Sequence, residues 1–258
     1  MKAVILAGGF GTRLSEATTM IPKPMVEIGG KPILWHIMKI YSHYGINEFI
    51  ICCGYKQYLI KEYFANYFRH NSDLTVNLDT NMVKVHNNNS EKWIVTMIDT
   101  GLQTMTGGRV KRIRQYVEGE RFLLTYGDGV IDLNINDAIQ AHERSGATLT
   151  VTAYKPIGKF GVLQIDADTN KVVAFQEKPN GDMSWINAGY FICEPDVFDY
   201  LPDDDTVEFE RKPLEHIARD GKMNAYKHRG FWKPMDTLRD NIELNEIWNQ
   251  GNAPWKVW

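Results

Sequence analysis

Along the first 150 positions, short unbroken apolar runs alternate with stretches of helical periodicity. "KAVILAG" (residues 2–8), "NEFIICCGY" (47–55) and "RFLLTYGDG" (121–129) read as buried strands. Between the first two, Ile33, Leu34, Ile37, Met38, Tyr41 and Tyr44 recur at helical spacing. Pro32 starts that helix and Gly45 stops it. Leu59, Ile60, Tyr63, Phe64, Tyr67 and Phe68 make a second amphipathic helix, and "NDAIQAHERSG" (136–146) a short third. Strands of continuous apolar character between helices predict a mostly parallel sheet covered on both faces.

Two stretches break the alternation. Residues 70–98 hold "DLTVNLDT", the polar "VHNNNSEKW" and "WIVTMID". These predict a β-rich insertion of short strands around an Asn-rich turn. After residue 150 the pattern turns strand-rich, through "ATLTVTAY", "FGVLQID", "KVVAFQEK" and "SWINAGYFI". "DADTN" (166–170) reads as a hairpin turn, and helices return at about 208–220 and 238–249. With no internal repeat and no linker, residues 1–258 are expected to form a single α/β domain.

Composition narrows the function classes. The 258 residues are 43% hydrophobic, enough for a sizeable core. Lys+Arg total 29 against 32 Asp+Glu, a net charge of -3, so a nucleic-acid partner is not expected. No apolar run approaches membrane-spanning length, and "MKAVILAGG" is too short for a signal peptide. Cys52, Cys53 and Cys193 are an odd set without metal-type spacing, which predicts reduced, buried thiols in a cytoplasmic protein. Adjacent Cys52 and Cys53 should point to opposite faces of their strand.

The first apolar run ends in "LAGGFGTRL" (6–14). Glycines after a first strand let backbone amides approach phosphates closely. The loop lacks the Gly-Lys-Ser/Thr of a P-loop, and Leu14 stands where a dinucleotide fingerprint needs glycine. A tight turn would explain the glycines. It would explain neither Arg13 nor the "IPKPM" (21–25) that follows.

Together, "LAGGFGTRL" and "IPKPMVEIGGKPIL" (21–34) resemble the signature of sugar-1-phosphate nucleotidyltransferases. The resemblance continues through "YGDG" (126–129), "FGVLQID", "FQEKP" (175–179) and "INAGYFI" (186–192). "FWKPMDT" (231–237) resembles the late Trp-x-Asp-Thr-Gly region, but Met235 precedes the aspartate and Leu238 replaces the glycine. "DTGLQTMTGGRVKR" (99–112) and "KPMDTLRD" (233–240) are similar to the glucose-1-phosphate cytidylyltransferase branch. The resemblance implies an α/β, Rossmann-like nucleotidyltransferase fold, with a mixed, mostly parallel sheet flanked by helices and small β-rich additions. It implies a nucleotide-binding part to about residue 150 and a sugar-phosphate part over 151–258. It further implies CTP and glucose 1-phosphate as substrates, CDP-glucose and pyrophosphate as products, Mg²⁺, and a homo-oligomer. CDP-deoxysugars for surface polysaccharide would be the destination. A uridylyl- or thymidylyltransferase of the same fold and a non-catalytic nucleotide-sugar binder are the alternatives.

The resemblance also assigns roles. Leu6, Ala7, Gly8, Gly9, Gly11 and Thr12 would surround the triphosphate, with Arg13 clamping its departing end, since guanidinium matches phosphate bidentately. Lys23, stiffened by two prolines, would place a point charge beside the transferring phosphoryl group. Asp128 and Asp236 would pair around Mg²⁺, with Asp128 also touching the nucleotide. By sequence alone, Asp236 could equally cap the helix that follows, as could Thr237 with Asp240 three residues on. Thr104 and Gly108 would line the base pocket, with Arg109 touching a phosphate or the pyrimidine carbonyl; by sequence alone Arg109 could equally be a solvated residue in the first turn of a helix. Gly161, Glu177, Lys178 and Asn187 would bind the sugar phosphate.

Overall fold

A computed structural model describes residues 1–14, 20–117, 119–156, 162–165, 171–176 and 184–258. Strand β1 (Ala3–Leu6) is buried along its whole length. The chain then makes a small ribbon, β2 (Glu27–Ile28) and β3 (Lys31–Pro32), and enters helix α1 (Ile33–His43). Pro32 occupies the cap position of α1, and Gly45, at φ 83°, adopts the left-handed conformation that stops it. Next come β4 (Glu48–Cys53), α2 (Gln57–His70), the hairpin β5 (Ser72–Asn77) and β6 (Met82–Asn88), and β7 (Ile94–Asp99). Two short helices, α3 (Thr106–Arg112) and α4 (Arg114–Val117), lead to β8 (Phe122–Tyr126), β9 (Gly129–Ile131) and α5 (Ile135–Ser145). The last part holds β10 (Leu149–Tyr154), β11 (Val162–Ile165), β12 (Val172–Gln176), β13 (Ile186–Cys193), α6 (Lys212–Arg219), β14 (Met223–His228), β15 (Trp232–Pro234) and α7 (Leu238–Asn249).

Seven strands form the central sheet in the order β14-β10-β13-β8-β1-β4-β7. β1 runs parallel to β4 and β8, β4 to β7, and β10 to β14. Only β13 is reversed against both neighbours, β8 and β10. This is the expected mixed, mostly parallel sheet. Side chains alternate across it: Ala3, Ile5, Phe49, Ile51 and Leu123 join one core, and Val4, Leu6, Ile50, Phe122 and Leu124 the other. Helix α1 lies on the first face, while Val110, Ile113 and Val117 of the α3–α4 stretch cover the second. Cys53 and Cys52 fall on opposite faces, as adjacent strand positions must.

The β-rich stretch near 70–98 divides differently from its sequence reading. β5 and β6 pair as an antiparallel hairpin, and β6 continues through Asn87 and Asn88, where a turn is expected. β7 instead pairs with β4 as an edge strand of the main sheet. Burial follows the split: Val95 and Met97 of β7 pack on the first core, while Val83 and Val85 of the hairpin are exposed. β11 and β12 pair antiparallel, and the "DADTN" turn between them lies outside the described residues.

Candidate active site

The carboxyl ends of β1 and β8 lie side by side, with Leu6 in register with Tyr126. Ligands of open α/β sheets gather at such strand ends. Gly127 N donates to Leu6 O at 2.9 Å. A Cβ on Gly127 would stand 3.2 Å from the Pro24 ring, so the "PKP" turn packs directly against this strand end. β9 and β15 then pair antiparallel, Gly129 facing Pro234, and Met235 N donates to Asp128 O at 2.8 Å. That ribbon carries Asp236 to the side of Asp128.

Lys23 completes the cluster from a single 3-10 turn, Lys23–Met25. It is 8% exposed, and Nζ donates to Asp128 Oδ2 at 2.6 Å and to Asp236 Oδ1 at 2.8 Å. The two carboxylate side chains remain 31% and 30% exposed, so they stay accessible to a ligand. Thr237 is the helix cap: its Oγ1 accepts from Asp240 N at 3.2 Å, and Asp240 Oδ2 accepts from Thr237 N at 2.8 Å. Of the two capping readings, the structure therefore selects Thr237 and leaves the Asp236 carboxylate directed at Lys23. Two carboxylates around one ammonium carry a net negative charge. That is a donor set suited to a divalent cation, which one or two carboxylates can hold while water and phosphate complete its shell. Among the described residues no group of three or more acidic, His or Cys side chains offers a denser metal cage.

The glycine loop is held from behind. Gly8 is buried, and its carbonyl accepts from Tyr55 N at 3.0 Å and from Arg109 Nη2 at 3.1 Å. A Cβ at Gly8 would lie 2.1 Å from Arg109 Nη1, so a guanidinium, rather than a ligand, demands this glycine. Gly9 is exposed and faces open space, with nothing within 4 Å of where its Cβ would be. Leu6 and Ala7 are buried, Thr12 is exposed, and Leu14 N donates to Gly11 O at 2.9 Å to close the turn. The Arg13 side chain lies outside the described residues.

Arg109 is 4% exposed. Its Nη1 donates to Thr100 Oγ1 (2.7 Å), Gly101 O (2.8 Å) and Cys53 O (3.2 Å), and its Nη2 also reaches Leu102 O (3.4 Å). Burial lowers its pKa from the usual guanidinium value. One side chain thus ties the glycine loop to the end of β4 and to the start of the 99–112 segment. Thr104 and Gly108 are buried beside it, whereas Leu102, Gln103 and Met105 are the exposed positions there.

Asn187 is the second residue of β13, on the same side of the site. Its Oδ1 accepts from Gly189 N at 2.7 Å and its Nδ2 donates to Tyr126 Oη at 3.4 Å. Gly161, Glu177 and Lys178 lie outside the described residues. Sequence reasoning missed Thr100, Tyr126 and Glu210. Tyr126 adjoins the "GDG" motif and could have been noticed, but nothing local distinguishes Glu210. The thiols are not reactive groups. All three are free and buried, and burial pushes the Cys53 thiol up to about 12.

Comparison with known proteins agrees with this geometry. A family model described as "Nucleotidyl transferase" matches residues 2–250. The chain is 56% identical, over 100% of both chains, to "Glucose-1-phosphate cytidylyltransferase" of Salmonella typhi. It is 48% identical, again over 100% of both, to "Probable glucose-1-phosphate cytidylyltransferase" of Bacillus subtilis. The crystal structure of HddC from Yersinia pseudotuberculosis superposes with a TM-score of 0.70 at 26% identity, covering 96% of this chain and 99% of that one. UDP-glucose pyrophosphorylase complexed with UDP-glucose shares the fold, with a TM-score of 0.68 at 18% identity over 97% and 98% of the two chains. The glycine loop, the paired aspartates and the near end-to-end match converge, and the chain belongs to the nucleotidyl transferase family.

Proposed function

We propose that the protein transfers a cytidylyl group from CTP to glucose 1-phosphate, releasing pyrophosphate and CDP-glucose. The Lys23–Asp128–Asp236 cluster at the sheet's carboxyl edge carries the nucleotidyl-transfer part of this reading. The base and the sugar rest on the full-length identity with the Salmonella typhi protein.

A phosphate oxygen of glucose 1-phosphate attacks the α-phosphorus, and the bond to pyrophosphate breaks. Both partners are anionic, so the protein has to supply fixed positive charge and amide donors rather than a covalent nucleophile. Lys23 sits where its ammonium can pass from the two aspartates to the incoming phosphates. Gly9 and Gly11 offer amides, and Arg13 receives the departing pyrophosphate. Asp128 and Asp236 would hold Mg²⁺, which would supply charge neutralisation on the triphosphate. Asn187, with Gly161, Glu177 and Lys178, receives the sugar phosphate.

Base choice falls to residues 104–109. Cytosine presents an N4 amino donor and an N3 acceptor where uracil reverses both. Each buried mismatch costs about 1–3 kcal/mol, so two give a preference for CTP of roughly a hundredfold or more. The test is pyrophosphate release from CTP, UTP, dTTP and GTP with glucose 1-phosphate. Equal use of UTP overturns the cytidylyl assignment and leaves the transferase chemistry standing. Tight ligand binding without pyrophosphate release would favour the non-catalytic reading.

The three free, buried thiols suit a reducing, cytoplasmic setting, and no described helix is long and apolar enough to cross a membrane. Assembly through the β5–β6 hairpin completes the proposal. Val76 pairs with Val83, and Leu74 with Val85, so the four lie on one face, where Val76, Val83 and Val85 are 49%, 50% and 39% exposed. A second copy of the chain would bury this face. Trp93, by contrast, packs within its own chain against Trp35 and Phe49.

A further inference from the structure

Glu210 belongs to no sequence motif and stands just before α6, yet both its carboxylate oxygens are committed to the site. Oε1 accepts from Tyr126 Oη at 2.5 Å, and Oε2 accepts from Thr106 Oγ1 at 2.6 Å. Thr106 is the first residue of α3, the helix carrying Gly108 and Arg109, and its Oγ1 in turn accepts from Phe209 N at 2.8 Å. Tyr126 reaches the other way, to Asn187 Nδ2 at 3.4 Å. The Tyr126 ring stands so close to β13 that a Cβ at Gly189 (φ 79°) would lie 2.3 Å from it. No other residue type fits there.

The donor directions along this chain are determined. A carboxylate only accepts, so both the Thr106 and the Tyr126 hydroxyl protons point at Glu210. Burial and the Glu210 carboxylate raise the Tyr126 phenol well above its usual range, so it keeps that proton. The phenol oxygen is then an acceptor and takes Asn187 Nδ2–H. Asn187 Oδ1 takes Gly189 N–H at 2.7 Å, which locks the amide from its other end. One amide N–H and one Oδ1 lone pair remain for a ligand, in a single orientation.

We infer that Glu210 is a positioning residue which, through Tyr126, sets the amide orientation of Asn187 toward the sugar while holding the start of the base-reading helix through Thr106. This deepens the proposed function and rests on Asn187 facing the sugar phosphate. Polar groups arranged to match hydroxyls discriminate only when their donors and acceptors cannot swap. A fixed amide provides that.

The test compares Tyr126→Phe, Glu210→Gln and Asn187→Ala by steady-state kinetics and thermal unfolding. Tyr126→Phe removes the acceptor and should raise KM for glucose 1-phosphate about tenfold, with KM for CTP within about twofold. Glu210→Gln offers an N–H to one of the two hydroxyls: at Tyr126 it reverses that link and raises KM for glucose 1-phosphate at least as much, and at Thr106 it raises KM for CTP instead. In an Asn187→Ala background Tyr126→Phe should add little, because it acts through Asn187. KM for glucose 1-phosphate within twofold of wild type in both Tyr126→Phe and Glu210→Gln overturns the inference. So does full additivity with Asn187→Ala, or a lowered Tm with unchanged KM. Should Glu210→Gln fail to fold, Tyr126→Phe and the double variant decide. The wild type is first assayed across sugar 1-phosphates, and the variants are measured on whichever it uses, so a wrong sugar assignment is distinguished from a wrong relay.

Discussion

Lys23 Nζ lies 2.8 Å from Asp236 Oδ1, joining a turn near the start of the chain to the approach of its last helix. The same ammonium holds Asp128 at 2.6 Å, so one cation binds both carboxylates. Several measurable consequences depend on this triangle and on the structure behind it.

Asp128→Asn and Asp236→Asn should each lower turnover by about 100-fold or more, the usual consequence of losing a major electrostatic stabiliser. The Tm of Asp236→Asn should change little, because Thr237 and not Asp236 caps α7. Chelation of divalent cations should abolish wild-type turnover. Near-normal turnover in purified Asp236→Asn would remove it from the metal site.

Thr237→Ala separates cap from catalysis. Losing the reciprocal Thr237–Asp240 bonds should cost about 1 kcal/mol of stability, read by denaturant unfolding. Turnover should stay within a few-fold of wild type. A collapse of turnover at unchanged stability would mean that the cap residue itself takes part in the chemistry.

Arg109→Ala should be destabilising by roughly 2–4 kcal/mol, because Gly101 O, Cys53 O and Gly8 O would all lose a buried charged donor. Arg109→Lys should recover little, since a compact ammonium cannot span the acceptors of a fork. KM for CTP should rise with the loss of loop support. An unchanged Tm in Arg109→Ala would contradict the buried hub.

Acid should weaken the fold through His36. Burial lowers its pKa from 6.5 to about 4, while Nε2 donates to Ile28 O at 2.8 Å. Between those values the unfolded chain takes a proton that the folded protein refuses. Stability is therefore highest above about pH 6.5 and falls as pH drops toward 4, by at most about 3 kcal/mol from this group. His142, also lowered by burial, acts in the same direction. Unfolding free energies measured from pH 7 to 4 should show the slope, and His36→Gln should flatten it.

Sedimentation addresses the hairpin. At micromolar concentration the protein should migrate above monomer size, and Val83→Ser with Val85→Ser should shift it downward while leaving the monomer folded. A wild-type monomer under these conditions rules out an obligate assembly through β5–β6.

Periodicity alone determined the main parallel strands at whose ends the site lies, but not the β9–β15 ribbon or α3, which carry Asp236 and Arg109. Ala3–Leu6, Glu48–Cys53 and Phe122–Tyr126 are legible because strands buried on both faces must be continuously apolar. Lys23, Asp128 and Asp236 were singled out by resemblance to a family's ordered motifs, since a loop lysine and two aspartates at a turn and a helix start carry no local mark of a shared site. Tertiary structure decided what lies between motifs. α1 reads as amphipathic, yet its outer side is also covered, with His36 4.8 Å from the ring of Trp248, more than 200 residues away in sequence. β7 belongs to the main sheet because it pairs with β4, a choice its own residues do not announce. Asp236 could have been a cap, and only Thr237 and Lys23 in place showed otherwise. Arg109 turned inward and Glu210 appeared without warning for one reason: hydrogen-bond partners are chosen in space, where local pattern carries no information about residues a hundred positions distant.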